Sequence, residues 1–403
     1  MRRATTPGPL ALPADAPDSA LVTPKPETDA LDKIVALVER GAVSREDKLI
    51  RWLVTTMTCI VIAFGFGENW DRHWHVTNPV ESFFIPPHIL IYGFDLLGAL
   101  SAIITLRYKD VLRGTRVRGI PVSLGVLLLG YSIEVLSGLF DGIWHSAFGL
   151  DETVMSFPHQ MIGSGAAVIT LGAVATRLAT SRATSSQELT FYSVFLGSFP
   201  LLEAASSIFK QTPEWLVAFS EVPTLHLSPG FQHVIYILLQ WHVYRVDSPV
   251  FVLLTAAAAG VSLGLIFRMT SKVSALVVAT IITVAPALGD LRVAWMVMHL
   301  ERQITSWLPI PVLIPALIYA VSERLALVAG LALAAACALI WYAPLGSVLL
   351  AAPVFWLGTR GGEFVYQGLV NQDRRLLHAG LAAGIGWPLI TGSADLVLRF
   401  NTP

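Results

Sequence analysis

Six apolar runs, at 49 to 69, 87 to 106, 120 to 141, 158 to 179, 189 to 209 and 229 to 246, each approach the ~20 residues that a helix needs to cross a bilayer. Lipid offers no partner to a bare amide, so segments of this kind must satisfy their own backbone hydrogen bonds as helices. Beyond residue 250 the runs near 251 to 268, 274 to 298, 308 to 321, 325 to 343, 345 to 358 and 376 to 397 are broken by Pro, Gly and charges. They predict five or six further segments, some short or re-entrant. The expected fold class is all-α, a polytopic transmembrane helical bundle with about 11–12 membrane segments. Composition agrees: 54% of the residues are hydrophobic and 14% charged, so most of the chain cannot face water. A formal net charge of -1 argues against a nucleic-acid surface. Cys59 and Cys337 are isolated, which excludes both a disulfide framework and a CxxC knuckle. Any chemistry falls to His, Asp and Glu.

The expected organisation has four parts. Residues 1–28, rich in Pro and Ala with no continuous apolar stretch of the signal-peptide type, read as a disordered cytoplasmic tail. Residues 29–48 place Leu31, Ile34, Val35, Leu37 and Val38 at helical spacing among charges, which suits an amphipathic surface helix or an ordinary solvated lead-in. Residues 49–250 hold the first six spans, and 251–403 the additional ones. Arg40, Arg45, Lys48 and Arg51 precede the first span, Arg107, Lys109, Arg113, Arg116 and Arg118 follow the second, and Arg177 and Arg182 follow the fourth. By the positive-inside rule these ends, and the N-terminus, face the cytoplasm. Segments 70 to 88 and 141 to 159 then lie on the external side, where Asp71, Glu81, Asp141, Asp151 and Glu152 outnumber the single base Arg72.

Those two segments repeat each other. WDRHWH aligns with FDGIWH, pairing Asp71 with Asp141, Trp74 with Trp144 and His75 with His145, and FIPPH aligns with SFPH, pairing His88 with His159. Within each copy the Asp and the first His are four residues apart, on one helical face. The second His follows a short turn, directly behind a proline suited to the first turn of the next helix. Asp71, His75 and His88, and again Asp141, His145 and His159, therefore form two three-ligand sets with positions left open for water, dioxygen or substrate. A bound cation would offset the cost, several kcal/mol per unpaired group, of placing such side chains at a lipid boundary. The plainer alternative makes them helix caps and interfacial residues, since Trp and His favour the headgroup region. His73 falls on another side of a helix from His75 and reads as a surface group or as support for the first set.

Two acids lie deeper. Asp95 comes seven residues after His88 and Glu134 seven before Asp141, two turns along the same faces. They are placed to orient the histidines or pass protons, or else to make a polar contact between helices. A third, fainter hairpin contains Glu203, His226, His233 and His242 without the DxxWH signature, and reads as structural sooner than as a third metal site. Asp290, Arg292 and His299 interrupt a later apolar stretch, and WLPIPVL puts Val312 where FIPPH has its histidine, as in a degenerate copy or scaffold.

At these residues the sequence resembles the C-type subunit of the copper membrane monooxygenases, the family of particulate methane monooxygenase and ammonia monooxygenase. That family member carries DxxWH, twelve residues, then His within FxPxH, matched here by Asp71, Trp74, His75 and His88. Its second site is Asn, His, His with an acidic pair between the histidines, matched by Asp141, His145 and His159 with Asp151 and Glu152. The resemblance covers roughly residues 30 to 250. It implies a copper-dependent oxygenase with two mononuclear sites in a bacterial inner membrane, hydroxylating a small apolar substrate with dioxygen. Asp141, His145 and His159 would form the catalytic site, with Glu134, Asp151 or Glu152 supplying protons. Electrons would come from an external donor, and the chain would act alone, as a homo-oligomer or with other monooxygenase subunits. Two departures stand out. Asp141 replaces the family's asparagine, a change that also suits zinc or non-haem iron, and the chain runs some 150 residues past the family's usual end. Rival readings are a zinc-dependent membrane lipid hydrolase, with Ser146 the nearby hydroxyl, and a metal-binding protein without turnover.

Overall fold

The computed structural model describes residues 49, 52–53, 67, 70, 74, 84–148, 157–180, 184–206, 249–293, 312–341 and 345–390. Among them helix dominates. The helices are α1 (Pro86–Thr105), α2 (Val122–Phe148), α3 (Phe157–Leu178), α4 (Ser186–Ser206), α5 (Pro249–Met269), α6 (Lys272–Val293), α7 (Leu313–Val321), α8 (Ala326–Trp341), α9 (Leu345–Asn371) and α10 (Arg375–Leu381), the last running on through a π-helical turn at Ala382–Gly386. A two-stranded hairpin, β1 (Arg116–Val117) against β2 (Ile120–Pro121), precedes α2. Its two-residue turn needs positive φ at both positions, and Arg118 and Gly119 supply 51° and 80°.

Four spans, Pro86–Tyr108, Val122–Trp144, Phe157–Leu178 and Val252–Met269, are long and apolar enough to cross a membrane. Their side chains are distributed as lipid demands. In α1 the outward face is Leu96, Leu97, Leu100, Ile103 and Ile104, while Asp95, Gly98, Ser101 and Thr105 turn inward. The inward hydroxyls are satisfied within the helix: Ser101 Oγ donates to the Leu97 carbonyl at 2.8 Å and Thr105 Oγ1 to that of Ser101 at 2.8 Å. On α2, Val135, Leu136, Leu139 and Ile143 likewise face out. A water-soluble helix of this composition would be reversed.

Small residues set the packing. α2 and α3 run antiparallel, with Gly130 against the Ile169 backbone, Gly172 against that of Leu127, and Gly165 against the Glu134 carboxylate. α5 and α9 run parallel, and each offers a GxxxG pair: Gly260 and Gly264 on one, Gly358 and Gly362 on the other. Gly260 lies against the Phe355 carbonyl, Gly264 against that of Thr359, Gly358 against that of Ala257 and Gly362 against that of Val261. With no water to expel between them, helices in lipid associate by this kind of close backbone approach. α4 contains Pro200, and one residue from the carbonyl that Pro200 cannot serve, Ser262 Oγ of α5 donates to the Gly197 carbonyl at 2.8 Å.

Residues 50–403 form one compact unit. α10 returns to the first hairpin, setting Gly380 against Val126, Leu129 and Val168, and Gly384 against Ile133 and Val168. The helix ends sort into two groups. At one end Arg113 N–H donates to the Ala179 carbonyl (2.8 Å) and Thr115 N–H to the Gln372 carbonyl (2.8 Å), which joins the hairpin, the end of α3 and the α9–α10 corner. The start of α1, the end of α2 and the start of α3 lie at the other.

Candidate metal centre

α2 continues seven residues past Asp141 to Phe148, so Asp141 and His145 share one uninterrupted helix, a turn apart. Aromatic contacts fix where α2 meets α3. Phe140 packs edge-on against Trp144 (5.9 Å between centroids) and against Phe157 of α3 (5.8 Å). Trp144 is 1% exposed. A tryptophan serving a headgroup belt keeps one edge in the polar layer, whereas this one is enclosed by protein, which weighs against the interfacial account of the WH pair.

The antiparallel register then carries His159, in the first turn of α3, to Asp141. Its Nε2 lies 3.9 Å from Asp141 Oδ1, with the carboxylate buried and the imidazole one quarter exposed. The separation exceeds a hydrogen bond. Donor–metal bonds of about 2.0–2.2 Å allow two donors of one ion to stand up to roughly 4.2 Å apart, so the pair is spaced as two ligands of a common cation can be. Toward α1, Tyr131 reaches Gly98 and Tyr92 reaches Gly138, a register that sets His88 of α1 within about a turn of the height of Asp141. The His88 ring is tilted against Tyr92 at 5.6 Å.

Two turns below, Glu134 is buried with its carboxylate against Gly165, and Asp95 is buried on α1. Tyr131, whose hydroxyl lies against Gly98 of α1, is within electrostatic reach of both carboxylates. Tyr131 and Gln160, the buried neighbour of His159, were not singled out from the sequence. Tyr131, Glu134, Gly138, Asp141 and His145 all fall on one stripe of α2, so extending the helical face of the ligands downward identifies the tyrosine.

Of the remaining expected site residues, Asp71, His75, Asp151 and Glu152 lie outside the described residues, as do His73, His226, His233, His242 and His299. The His145 backbone belongs to α2, and its side chain lies outside the described set. The same holds for Glu203 of α4 and for Asp290 and Arg292 of α6. Among the described residues, no three His, Cys, Asp or Glu side chains converge as a metal-holding group. Three of the six expected ligands, Asp71, His75 and His145, have no side chain in that comparison. Ser146, the hydroxyl that a hydrolase would need, donates to the Gly142 carbonyl of its own helix at 2.7 Å.

The chain matches no family model, no curated protein and no solved structure. Its likeness to the copper membrane monooxygenases therefore rests on the motif residues alone.

Proposed function

We propose that this chain is an integral membrane metalloprotein with oxygenase chemistry, in which Asp141, His145 and His159 hold one metal ion and Asp71, His75 and His88 a second. The observation that carries the reading is the approach of Asp141 Oδ1 to His159 Nε2 at 3.9 Å, at the end of two membrane-length helices, in a motif the sequence repeats. The donor set fits copper, and also zinc or ferrous iron, because imidazole and carboxylate serve all three. Copper bound there would supply the redox change by which dioxygen oxidises a small apolar substrate.

The protein's own groups have separate tasks. Asp141 brings a compensating negative charge into a site that lipid surrounds. His159, partly exposed, marks the open side. Phe140, Trp144 and Phe157 exclude water from the α2–α3 junction. Glu134 Oε1, held against Gly165, stands where it can orient the ligands from below and hand on a proton. The substrate partitions from the bilayer and the electrons come from an external donor, since the sequence shows no haem, flavin or iron–sulfur motif. In this reading the arginine-rich end faces the cytoplasm of a bacterial inner membrane.

Metal analysis of the detergent-purified chain, paired with oxygen uptake, tests the proposal. The expected result is two copper ions per chain, falling to one in His159→Ala, with oxygen uptake lost in that variant. A chain that retains no metal, or one zinc with no oxygen uptake, overturns it.

A further inference from the structure

The end of the bundle opposite the candidate centre carries a charge pattern that the metal chemistry does not use. Arg107, Lys109, Arg113, Arg116 and Arg118 lie between the last turn of α1 and the start of α2. The hydrogen bond from Thr115 N–H to the Gln372 carbonyl brings Arg374 and Arg375 of the α9–α10 corner alongside. Against these seven cations the same surface offers Asp110 and Asp373, Glu188 being engaged by the buried Arg177 (2.8 Å).

Three of the seven are occupied. Arg116 donates to Asp110 at 2.8 Å, Arg375 stands 3.7 Å from Asp373, and Arg113 caps α3 by donating to the Leu178 carbonyl at 3.0 Å. Arg107, Lys109, Arg118 and Arg374 have no side-chain partner among the described residues, and all but Lys109 are exposed. Their depth is fixed by the helix below them. The outward apolar face of α1 ends at Ile103 and Ile104, directly before Arg107, and Tyr108 closes that span. At the hairpin, Val117 is exposed between Arg116 and Arg118, an apolar foot flanked by guanidinium groups.

We propose that this surface binds the phosphate of anionic phospholipid headgroups through Arg107, Lys109, Arg118 and Arg374. Free cations at the hydrocarbon boundary meet phosphate without leaving the headgroup layer, and the guanidinium fork matches its geometry. A zwitterionic headgroup brings its own ammonium and gains less. A soluble anion has no use for the exposed apolar residues beside the cations, whereas a lipid covers them with its chains. One such lipid would tie the hairpin to the α9–α10 corner, alongside the Thr115–Gln372 hydrogen bond.

The test places the full chain in nanodiscs of phosphatidylcholine with a minor share of phosphatidylglycerol and reads lipid selectivity from spin-labelled lipids of each kind. The expected result is a preference for phosphatidylglycerol that falls by roughly fivefold for each cation removed, disappears in the variant Arg107→Gln/Lys109→Gln/Arg118→Gln/Arg374→Gln, and persists in Arg107→Lys/Arg118→Lys/Arg374→Lys. Both variants should unfold at the wild-type temperature in neutral detergent, which separates lost binding from lost fold. Absence of a preference in the wild type, an undiminished preference in the glutamine variant, or complete displacement of the lipid by inorganic phosphate overturns the proposal.

Discussion

At the scale of single residues, the candidate centre turns on what occupies a few cubic ångströms between α2 and α3. Replacing Asp141 with Asn keeps an oxygen donor and removes the charge, so it should shift the site toward Cu(I) and away from zinc and ferrous iron; competition among these metals for the purified variant checks it. Gly165 leaves space for the Glu134 carboxylate, because a Cβ there would stand 2.7 Å from Oε1. Gly165→Ala should therefore displace the carboxylate and weaken metal retention by about 10–100-fold, the effect expected when support behind a ligand is lost. Glu134→Gln should reproduce that loss in a chelator-competition assay. If both variants hold metal as the wild type does, Glu134 has no part in the centre.

At the scale of the element, helix packing here is decided by glycine. In the α5–α9 seam, Gly264→Leu forces a branched side chain into the Thr359 backbone and should cost about 1–3 kcal/mol or more of stability, read as a lower unfolding temperature in detergent. Gly361→Ala, where the nearest atom to the new Cβ is Val261 Cγ2 at an ordinary 3.5 Å, should be close to neutral. The helices themselves were legible in the sequence, since an apolar run of spanning length has one solution in lipid: 87 to 106 became Pro86–Thr105, and 158 to 179 became Phe157–Leu178. At two places the helix runs beyond the apolar stretch that marks it in the sequence, because polar residues continue it. The apolar run ends at 141, but Asp141 is buried inward and the helix continues to Phe148, as the shared face of Asp141 and His145 requires. The apolar run 345 to 358 lies within α9, which goes on to Asn371 through Arg360 and Glu363. Those charges are absorbed by partners, with Arg268 reaching both Glu323 and Glu363 at 2.6 Å and Arg360 reaching Glu363 at 2.6 Å. Of the candidate site, periodicity accounts for the inward burial of Asp141, Glu134 and Asp95 and for the position of His159 in the first turn of α3 near Asp141. Tyr131 lies on the same stripe of α2, but its contact with Gly98 depends on the α1–α2 register, which no pattern within one helix reveals.

At the scale of the whole molecule, the outward faces of α1 and α2 commit the chain to lipid. Leu97→Asp, near the middle of the first described span, should raise the cost of insertion by about 2.5–3.5 kcal/mol, measured as the inserted fraction in a translocation assay, whereas Leu97→Phe should leave it unchanged. Truncation after Asn371 removes α10 from the groove lined by Val126, Ile133 and Val168, and should lower both the unfolding temperature and the metal content of the purified chain. The placement of α10 also has a consequence for biogenesis. The hairpin bearing Asp141 and His159 leaves the ribosome some two hundred residues ahead of the helix that backs it. During synthesis its rear groove must lie open to lipid or to an insertion factor, and an ion captured early would sit in a half-built wall. Under the proposed function, loading with metal would thus be timed best as a late step in assembly, after translation is nearly over.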